Sequence, residues 1–312
     1  MRAIIALGGN ALQAEGQPAT AECQLKTIRS TAVHLANMIE SGNQIVIVHG
    51  NGPQVGRLVV QNECAKQVTP SMPFDVCGAM SQGMIGYHIQ QALGEELKKK
   101  NINKSVVTLI TQTVVDKNDS GFRNPTKPIG PYYKKDEAEN LSQERGYVMM
   151  EDSGRGYRRV VASPDPKKIV EIDTIKRLVN AGQVVISTGG GGIPVIEKED
   201  NSLEGVAAVI DKDLASARLA DELDADILVI LTAVEKVAIN FGKPNQKNLD
   251  VITVNDAEKY IKEGQFGTGS MLPKIRAAIK FVTANPSKKA IIASLESAKN
   301  ALLGNAGTII TQ

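Results

Sequence analysis

Hydrophobic and polar positions form two patterns along the chain. One is a short continuous apolar run, and the other is a longer stretch whose apolar residues would lie on one face of a helix. The short runs predict strands near 4–7, 45–48, 106–110, 184–186, 227–231, 291–292 and 308–310. Apolar residues spaced three and four apart predict helices near 21–41, 75–98, 212–223, 254–263 and 270–283. Because apolar strands alternate with helices, we expect an α/β fold whose mostly parallel sheet is covered on both faces.

The stretch from about 117 to 160 interrupts this alternation. It contains Pro125, Pro128 and Pro131, then a charged helical piece, then an arginine-rich run. Proline is poorly tolerated inside a central strand or a helix. The pattern therefore predicts one domain over 1–312, with 117–160 inserted into it as a lid or small subdomain.

The composition narrows the class of protein. The chain has 312 residues, a net charge of +2, 42% hydrophobic and 4% aromatic residues, and no tryptophan. Such a charge and so few aromatic rings disfavour nucleic-acid binding. No apolar run approaches the roughly 20 residues of a membrane helix, and Cys23, Cys64 and Cys77 follow no disulfide or zinc spacing. We expect a cytoplasmic protein that binds neither nucleic acid nor membranes.

Glycines cluster directly after three predicted strands, at 8–9, 50–52 and 189–192. In a parallel sheet, ligands bind at the carboxyl ends of the strands. Glycine there lets backbone N–H groups approach a phosphate closely. One such cluster could simply make a tight turn, but three of them favour an anion site, provided that they meet in space.

Several common motifs are absent from the sequence. Gly50, Gly52 and Gly56 miss the dinucleotide G-x-G-x-x-G spacing by one residue, and Gly242-Lys243 is followed by proline where a P-loop needs serine or threonine. There is no G-x-S-x-G or H-E-x-x-H motif. We expect His49 to be a hydrogen-bonded histidine at a strand end and Cys77 to be a core residue.

Three lysines are candidate phosphate ligands. Lys212 and Lys274 lie at predicted helix starts, and Lys127 lies in the proline-rich segment of the insertion. Each of them could instead be a solvated surface charge. Asp211 could orient a lysine, cap a helix, or do both, and Ser270 could cap the helix that carries Lys274. Phosphoryl transfer needs such charges because the protein mainly positions and neutralises the phosphates.

Six segments, in this order along the chain, resemble signatures of the carbamate kinases, a family of the amino acid kinase superfamily. They are ALGGNA at 6–11, HGNGPQVG at 49–56, NPTKPIG at 124–130, GGGGIP at 189–194, VIDKD at 209–213 and GSMLPK at 269–274. The resemblance covers the whole chain. It implies a three-layer αβα sandwich with an open sheet and a protruding subdomain, and a homodimer. It also implies Mg²⁺-dependent phosphoryl transfer between carbamoyl phosphate and ADP, giving ATP and carbamate.

The resemblance also implies residue roles, although it leaves the metal ligands open. The transferred phosphate and the carbamoyl group would be held by Gly8, Gly9, Asn10, Gly50, Asn51 and Gly52. The catalytic residues would be Lys127, which reaches into the cleft, Lys212 and Lys274, which neutralise phosphate charge, and Asp211, which organises those lysines. The nucleotide would be bound by Gly189, Gly190, Thr232, Ala233, Val234, Asn240, Phe241, Gly242 and Met271.

The sequence departs from the common family pattern at a few positions, namely Tyr157, Ala233, Glu235, Phe241 and Thr268. None of these departures removes a lysine or a glycine turn. Two alternatives follow from them. The chain could be a carbamate-kinase-like paralogue with a different acyl or phosphate acceptor, or a nucleotide-binding regulatory protein without turnover.

Overall fold

The predicted strands lie side by side in one large sheet. The computed structural model describes residues 1–14, 16–152 and 154–312. The strands are β1 (Arg2–Leu7), β2 (Gln44–His49), β3 (Val106–Thr108), β4 (Gln112–Val114), β5 (Lys127–Tyr133), β6 (Met149–Glu151), β7 (Tyr157–Val161), β8 (Lys168–Ile169), β9 (Val184–Ile186), β10 (Ile193–Glu197), β11 (Leu203–Gly205), β12 (Ile227–Thr232), β13 (Ala238–Ile239), β14 (Lys247–Asn248), β15 (Val251–Thr253), β16 (Lys289–Ser294) and β17 (Thr308–Thr311). The helices are α1 (Ala21–Glu40), α2 (Gly52–Ala65), α3 (Phe74–Lys99), α4 (Lys135–Arg145), α5 (Ile172–Asn180), α6 (Lys212–Glu222), α7 (Val254–Lys262), α8 (Met271–Ala284) and α9 (Ala298–Leu302).

The main sheet has eight strands in the order β15-β17-β16-β12-β1-β2-β9-β3. Neighbouring strands are parallel except for β16 and β17, which pair antiparallel. The expectation of a mostly parallel sheet is confirmed. The carboxyl ends of β12, β1, β2 and β9 consequently lie in a row along one edge.

Helices cover both faces of this sheet, and β1 shows how. Ile4 and Ala6 face one core, which is built with α5, α6, α7 and α8. Ala3, Ile5 and Leu7 face the other core, built with α1, α3 and α9. Successive strand residues point to opposite faces, so an unbroken apolar strand supplies both cores. This is the expected three-layer αβα sandwich.

The inserted segment forms a sheet of its own. Strands β5, β7 and β6 pair antiparallel in that order, and α4 connects β5 to β6. We call 127–161 the lid sheet. A further four-stranded sheet has the order β11-β10-β4-β8, and along the chain its strands flank the lid sheet, with β4 before it and β8, β10 and β11 after it.

The structure contains local elements that the sequence analysis did not predict. The proline-rich run at 127–133 is a strand, which tolerates Pro128 and Pro131 because β5 is an edge strand of the lid sheet. Helix α2 was not predicted, because Gly52 and Gly56 interrupt its apolar stripe. Helix α5 and strand β15 were not predicted either.

The lid sheet docks on α2 through close backbone contact and a charged cluster. A Cβ on Gly56 would lie 2.1 Å from the backbone nitrogen of Gly130. Further along α2, Glu63 pairs with Arg145 at 2.9 Å and with Arg159 at 3.6 Å, and it accepts a hydrogen bond from Tyr147.

Replacing Gly56 with alanine should push the lid sheet away from α2, because the added methyl group overlaps backbone that cannot yield. We expect a loss of about 1–3 kcal/mol in the free energy of unfolding and faster proteolysis within 127–161. Urea denaturation and limited proteolysis measure both. Gly78→Ala on α3, where a Cβ would meet no atom within 4 Å, is the matched control. Equal stability and proteolysis of the two variants would contradict the docking contact.

Within the described part of the chain, we find no helix with the length and apolar character needed to cross a membrane.

Candidate active site

The three glycine turns meet at one edge of the main sheet. Strands β1, β2 and β9 are neighbours, so the turns at 8–9, 50–52 and 189–192 follow each other along that edge. The turns also bond to adjacent strands: the Gly8 N–H donates to Leu231 O at 3.1 Å, and the Gly50 N–H donates to Leu7 O at 3.3 Å. The shared position that the anion-site hypothesis requires is therefore present.

A cleft of about 740 Å³ opens above these turns, between the main sheet and the lid sheet. Among the described residues, its glycine-turn lining includes Gly9, Asn10, Gly50, Asn51, Gly52 and Gly190. Its charged lining comprises Arg57, Lys127, Asp152, Arg155, Arg158, Asp211, Lys212, Asp213 and Lys274. Basic side chains outnumber acidic ones in that set by three, so the cleft favours an anionic ligand such as a phosphate.

The third glycine turn packs against the second, and its glycines leave no room for side chains. A Cβ on Gly190 would lie 2.1 Å from Asn51 Nδ2, and Gly190 has φ of +65°. Asn51 in turn donates from Nδ2 to Ser81 Oγ at 2.8 Å. Gly190 therefore fixes the Asn51 side chain beside the cleft.

Three lysines and two aspartates form a bonded network on the wall of the cleft. Lys127 Nζ contacts Asp211 Oδ2 at 2.5 Å. Asp213 receives two lysines, Lys212 at 2.5 Å on Oδ1 and Lys274 at 2.9 Å on Oδ2. All three lysines predicted from the sequence thus converge, although their positions span 127 to 274 in the chain.

The start of α6 explains how two neighbouring aspartates take different partners. Asp211 is the N-cap of α6, and its Oδ1 accepts from the backbone N–H groups of Asp213 and Leu214 at 2.9 and 3.3 Å. Its other oxygen remains free for Lys127. Capping and ion pairing therefore both hold for Asp211.

One implied role needs correction. The resemblance assigns the organisation of Lys212 and Lys274 to Asp211, whereas Asp213 makes both of those contacts. Asp213 was missed as a site residue. The alternation of acidic and basic residues at 211–213 was the available signal, but it did not indicate which carboxylate faces which lysine. Ser270 is also corrected: it occupies the N-cap position of α8, but its side chain makes no capping hydrogen bond.

Burial and charge act in opposite directions on the pKa values of this network. Burial alone would raise the pKa of Asp213, but the charges of Lys212 and Lys274 outweigh it and hold the pKa well below its usual value. Asp211 behaves similarly, with Lys127 as the main cation that lowers its pKa against burial. Burial lowers the pKa of Lys212 against the opposing pull of Asp213. The two carboxylates are therefore ionised at neutral pH.

His49 ends β2 beneath the cleft, as expected, with its Nδ1 3.0 Å from the carbonyl oxygen of Gly50. Burial lowers the pKa of His49 from 6.5 to about 4, and the hydrogen bond to Gly50 opposes this only partly. The ring is therefore neutral at physiological pH.

The stability of the protein should fall as pH drops from about 6.5 to 4. In that window the unfolded state binds the His49 proton more tightly than the folded state, so the full stability is present only above the unfolded pKa. The shift of pKa from 6.5 to about 4 corresponds to about 3 kcal/mol. Urea denaturation across this pH range measures the loss, and His49→Gln should flatten it. His88→Gln is the comparison variant. Burial also lowers the pKa of His88, so this variant measures how much of the stability loss comes from the second histidine. A wild-type profile as flat as that of His49→Gln would contradict this explanation.

The lid sheet contributes Lys127 from β5 and Arg158 from β7. Arg158 is only 8% exposed and bonds to Asp152 at 3.2 Å and to the carbonyl oxygen of Gly130 at 3.1 Å. Arg158 was not among the residues predicted for the site. The arginine-rich run at 155–159 is visible in the sequence, but burial of one of its members is not.

Comparison with known proteins identifies the family. The amino acid kinase family matches residues 1–294. The carbamate kinase of Clostridium perfringens is 57% identical over 100% of both chains. The chain belongs to the carbamate kinase family. Another relative, the carbamate kinase-like protein YqeA of Escherichia coli, is 52% identical over 99% of both chains.

Solved structures of the family agree with the fold. Carbamate kinase from Giardia lamblia bound to citric acid superposes with a TM-score of 0.94 at 43% identity, covering 99% of this chain and 98% of that one. The Giardia enzyme bound to AMP-PNP gives a TM-score of 0.90 at 44% identity, with the same coverage.

The residues that the resemblance assigns to the nucleotide divide into separate groups in this structure. Thr232 ends β12 and is followed by Ala233 and Val234, Asn240, Phe241 and Gly242 lie between β13 and β14, and Met271 begins α8. Gly189 and Gly190 lie instead beside His49 and Asn51, at the end of β9. Three strand spacings, about 14 Å, separate β9 from β12 in the sheet order. The structure therefore places Gly189 and Gly190 with the second glycine turn, away from the rest of the nucleotide set.

Proposed function

We propose that the protein transfers a phosphoryl group between carbamoyl phosphate and ADP, giving ATP and carbamate. The observation that carries this proposal is the convergence of Lys127, Lys212 and Lys274 on one cleft above the glycine turns. Full-length identity to carbamate kinases supports the same substrates. The protein is accordingly a phosphotransferase with a carboxyl group as acceptor.

Residues at different places in the cleft would have different roles in the reaction. The turns that follow β1 and β2 would hold the transferred phosphate and the carbamoyl group through backbone N–H groups, with Gly8, Gly9, Asn10, Gly50, Asn51 and Gly52 as the binding set. Lys212 and Lys274 would neutralise the charge that spreads over the moving phosphoryl group. Asp213 holds both lysines in place. Asp211 holds Lys127 and so links the lid sheet to α6.

We further propose that Mg²⁺ accompanies the nucleotide. Among the described residues, no cluster of three or more metal-binding side chains occurs. Asp211 and Asp213 already bind lysines. This donor set fits a metal whose ligands are mainly phosphate oxygens and water, as Mg²⁺ prefers. When bound, Mg²⁺ would neutralise phosphate charge alongside Lys212 and Lys274.

For the nucleotide, we propose the surface around the end of β12. The AMP-PNP complex of the Giardia enzyme shows that this family member binds a nucleotide analogue. In this chain adenine and ribose would be contacted by Thr232, Ala233, Val234, Asn240, Phe241, Gly242 and Met271. Phe241 is 67% exposed, so its ring is available for such a contact.

We also propose that 117–160 acts as a lid, and that the protein is a cytoplasmic homodimer. The cysteines of the protein are free thiols, which suits a reducing compartment such as the cytoplasm.

For the homodimer, we propose α3 as the contact surface. Exposed apolar residues on α3, including Val76, Met80 and Tyr87, support this choice. A solution mass of twice 33.3 kDa in light scattering is the expected result.

Purified protein mixed with carbamoyl phosphate, ADP and Mg²⁺ tests the activity. We expect ATP well above the level formed without protein. The similarity to a carbamate kinase-like protein favours a paralogue as the second candidate. ATP made from another acyl phosphate, with none from carbamoyl phosphate, would indicate that paralogue. ADP binding without turnover of any acyl phosphate would indicate a regulatory protein.

A further inference from the structure

Two residues that line the cleft each carry a buried side-chain atom without a hydrogen-bond partner. In the described part of the chain, such side-chain atoms are Gln54 Oε1, Thr108 Oγ1, Arg158 Nη2 and Gln183 Oε1. Gln54 and Arg158 both line the cleft. One of these orphaned atoms accepts hydrogen bonds and the other donates them. Leaving a buried polar group unpaired is costly, so such a pair beside a cleft indicates a ligand that satisfies both.

Arg158 is held rigidly with a single donor group left over. Its Nε donates to Gly130 O and its Nη1 donates to Asp152 Oδ2. The remaining Nη2 lies at the start of α2, since a Cβ on Gly52 would be 3.9 Å from it. A guanidinium fixed in this way presents a directed positive donor and loses little entropy on binding.

Gln54 lies in the first turn of the same helix, two residues after Gly52, and is 2% exposed. The first-turn N–H groups of α2 add a favourable field for an anion at this point. The helix start and the lid strand β7 therefore bring an acceptor and a charged donor to one end of the cleft.

That end is the one farther from the proposed nucleotide surface. The sheet order runs β12, β1, β2. The proposed nucleotide residues follow β12, the first glycine turn follows β1, and Gly52 with Arg158 beside it follows β2. A phosphoryl group that moves along this edge would have the nucleotide on one side and the acyl group on the other.

We propose that Arg158 and Gln54 form the carbamoyl subsite. Nη2 of Arg158 donates to the free carbamoyl oxygen, and Oε1 of Gln54 accepts from the carbamoyl amino group. This inference rests on the proposed function and deepens it, because it names the residues that select the acyl group.

The two residues act differently in the reaction. When ATP forms, the bond between phosphorus and the carbamoyl oxygen breaks and its electron pair stays on that oxygen. A new bond joins phosphorus to the terminal oxygen of ADP. The departing carbamate carries the negative charge, so Arg158 assists its departure. Gln54 takes no part in bond breaking and selects the substrate.

Acetyl phosphate separates these roles, because it carries a methyl group where carbamoyl phosphate carries an amino group. Gln54→Met should lower kcat/KM for carbamoyl phosphate about tenfold or more, and should leave acetyl phosphate within threefold of wild type. Arg158→Gln should lower kcat/KM for both substrates by about a hundredfold, with the KM for ADP unchanged. Where acetyl phosphate is not turned over, its inhibition constant against carbamoyl phosphate takes the place of kcat/KM.

Exposed residues of the same two types serve as controls. Gln61→Met changes an exposed glutamine of α2, and Arg123→Gln changes an exposed arginine of the insertion; both should keep wild-type ratios. Arg158→Lys serves as a second variant that retains the charge. Equal losses on both acyl phosphates for Gln54→Met, or no loss for either substitution, would overturn the subsite. A wild-type protein that makes no ATP from carbamoyl phosphate would instead overturn the proposed function itself.

Discussion

Replacing Lys274 with alanine should lower the rate of ATP formation from carbamoyl phosphate about a hundredfold or more. The side chain is 13% exposed, and its ammonium group is held on Asp213 at 2.9 Å, so in the proposed site it would meet the phosphoryl group without further reorganisation. Removing one such charge contact to a transition state typically costs two to three orders of magnitude. Lys212→Ala should have a similar effect, because Lys212 shares the same carboxylate.

Steady-state kinetics of ATP formation measure this effect, and Lys280→Ala is the matched control. Lys280 lies on the same helix, is 49% exposed, and pairs with Asp165 outside the network. The control should stay within threefold of wild type. A Lys274→Ala rate also within threefold of wild type would remove Lys274 from the catalytic set.

Replacing Asp213 with asparagine should be the most destabilising single change in the site. Asparagine has nearly the same shape but leaves the Lys212 and Lys274 charges without their shared carboxylate. Breaking a buried ion pair by removing one partner costs roughly 3–5 kcal/mol. The depressed pKa of Asp213 means that its stabilising contribution is fully present above the usual aspartate pKa, and so at neutral pH.

Urea denaturation at neutral pH measures this loss, with Asp165→Asn as the control. Asp165 pairs with Lys280 at the surface, where an ion pair contributes at most about 1 kcal/mol. Asp213→Asn should also turn over at least about tenfold more slowly, since both lysines lose their fixed positions. A variant as stable and as active as Asp165→Asn would show that Asp213 does not organise the site.

The regular elements could be predicted because their apolar patterns are long and unbroken. The stripe over 21–41 matches α1 at Ala21–Glu40, and the run at 227–231 matches β12. Helix α2 escaped prediction because its glycines serve contacts elsewhere, with Gly56 packed against Gly130 of the lid sheet. Apolar periodicity in a sequence predicts a helix that packs one face on the core. It does not predict a helix such as α2, whose glycines allow another segment to pack closely against it.

The glycine turns and lysines could be found from the sequence, whereas their partners could not. The order β12-β1-β2-β9, which brings the turns together, is a property of long-range pairing. Arg158 and Arg159 look equivalent in the sequence. Adjacent strand residues face opposite sides, so Arg158 reaches the cleft while Arg159 stacks on Tyr147 and pairs with Glu63.

The most direct measurement follows the phosphorus atom itself. Phosphorus NMR of wild-type protein with carbamoyl phosphate, ADP and Mg²⁺ should show the carbamoyl phosphate signal replaced by the γ-phosphate signal of ATP. That conversion should greatly exceed spontaneous breakdown, and the Lys274→Ala protein should remain near the spontaneous rate. Decay of carbamoyl phosphate to inorganic phosphate alone, at the rate seen without protein, would contradict the proposed function.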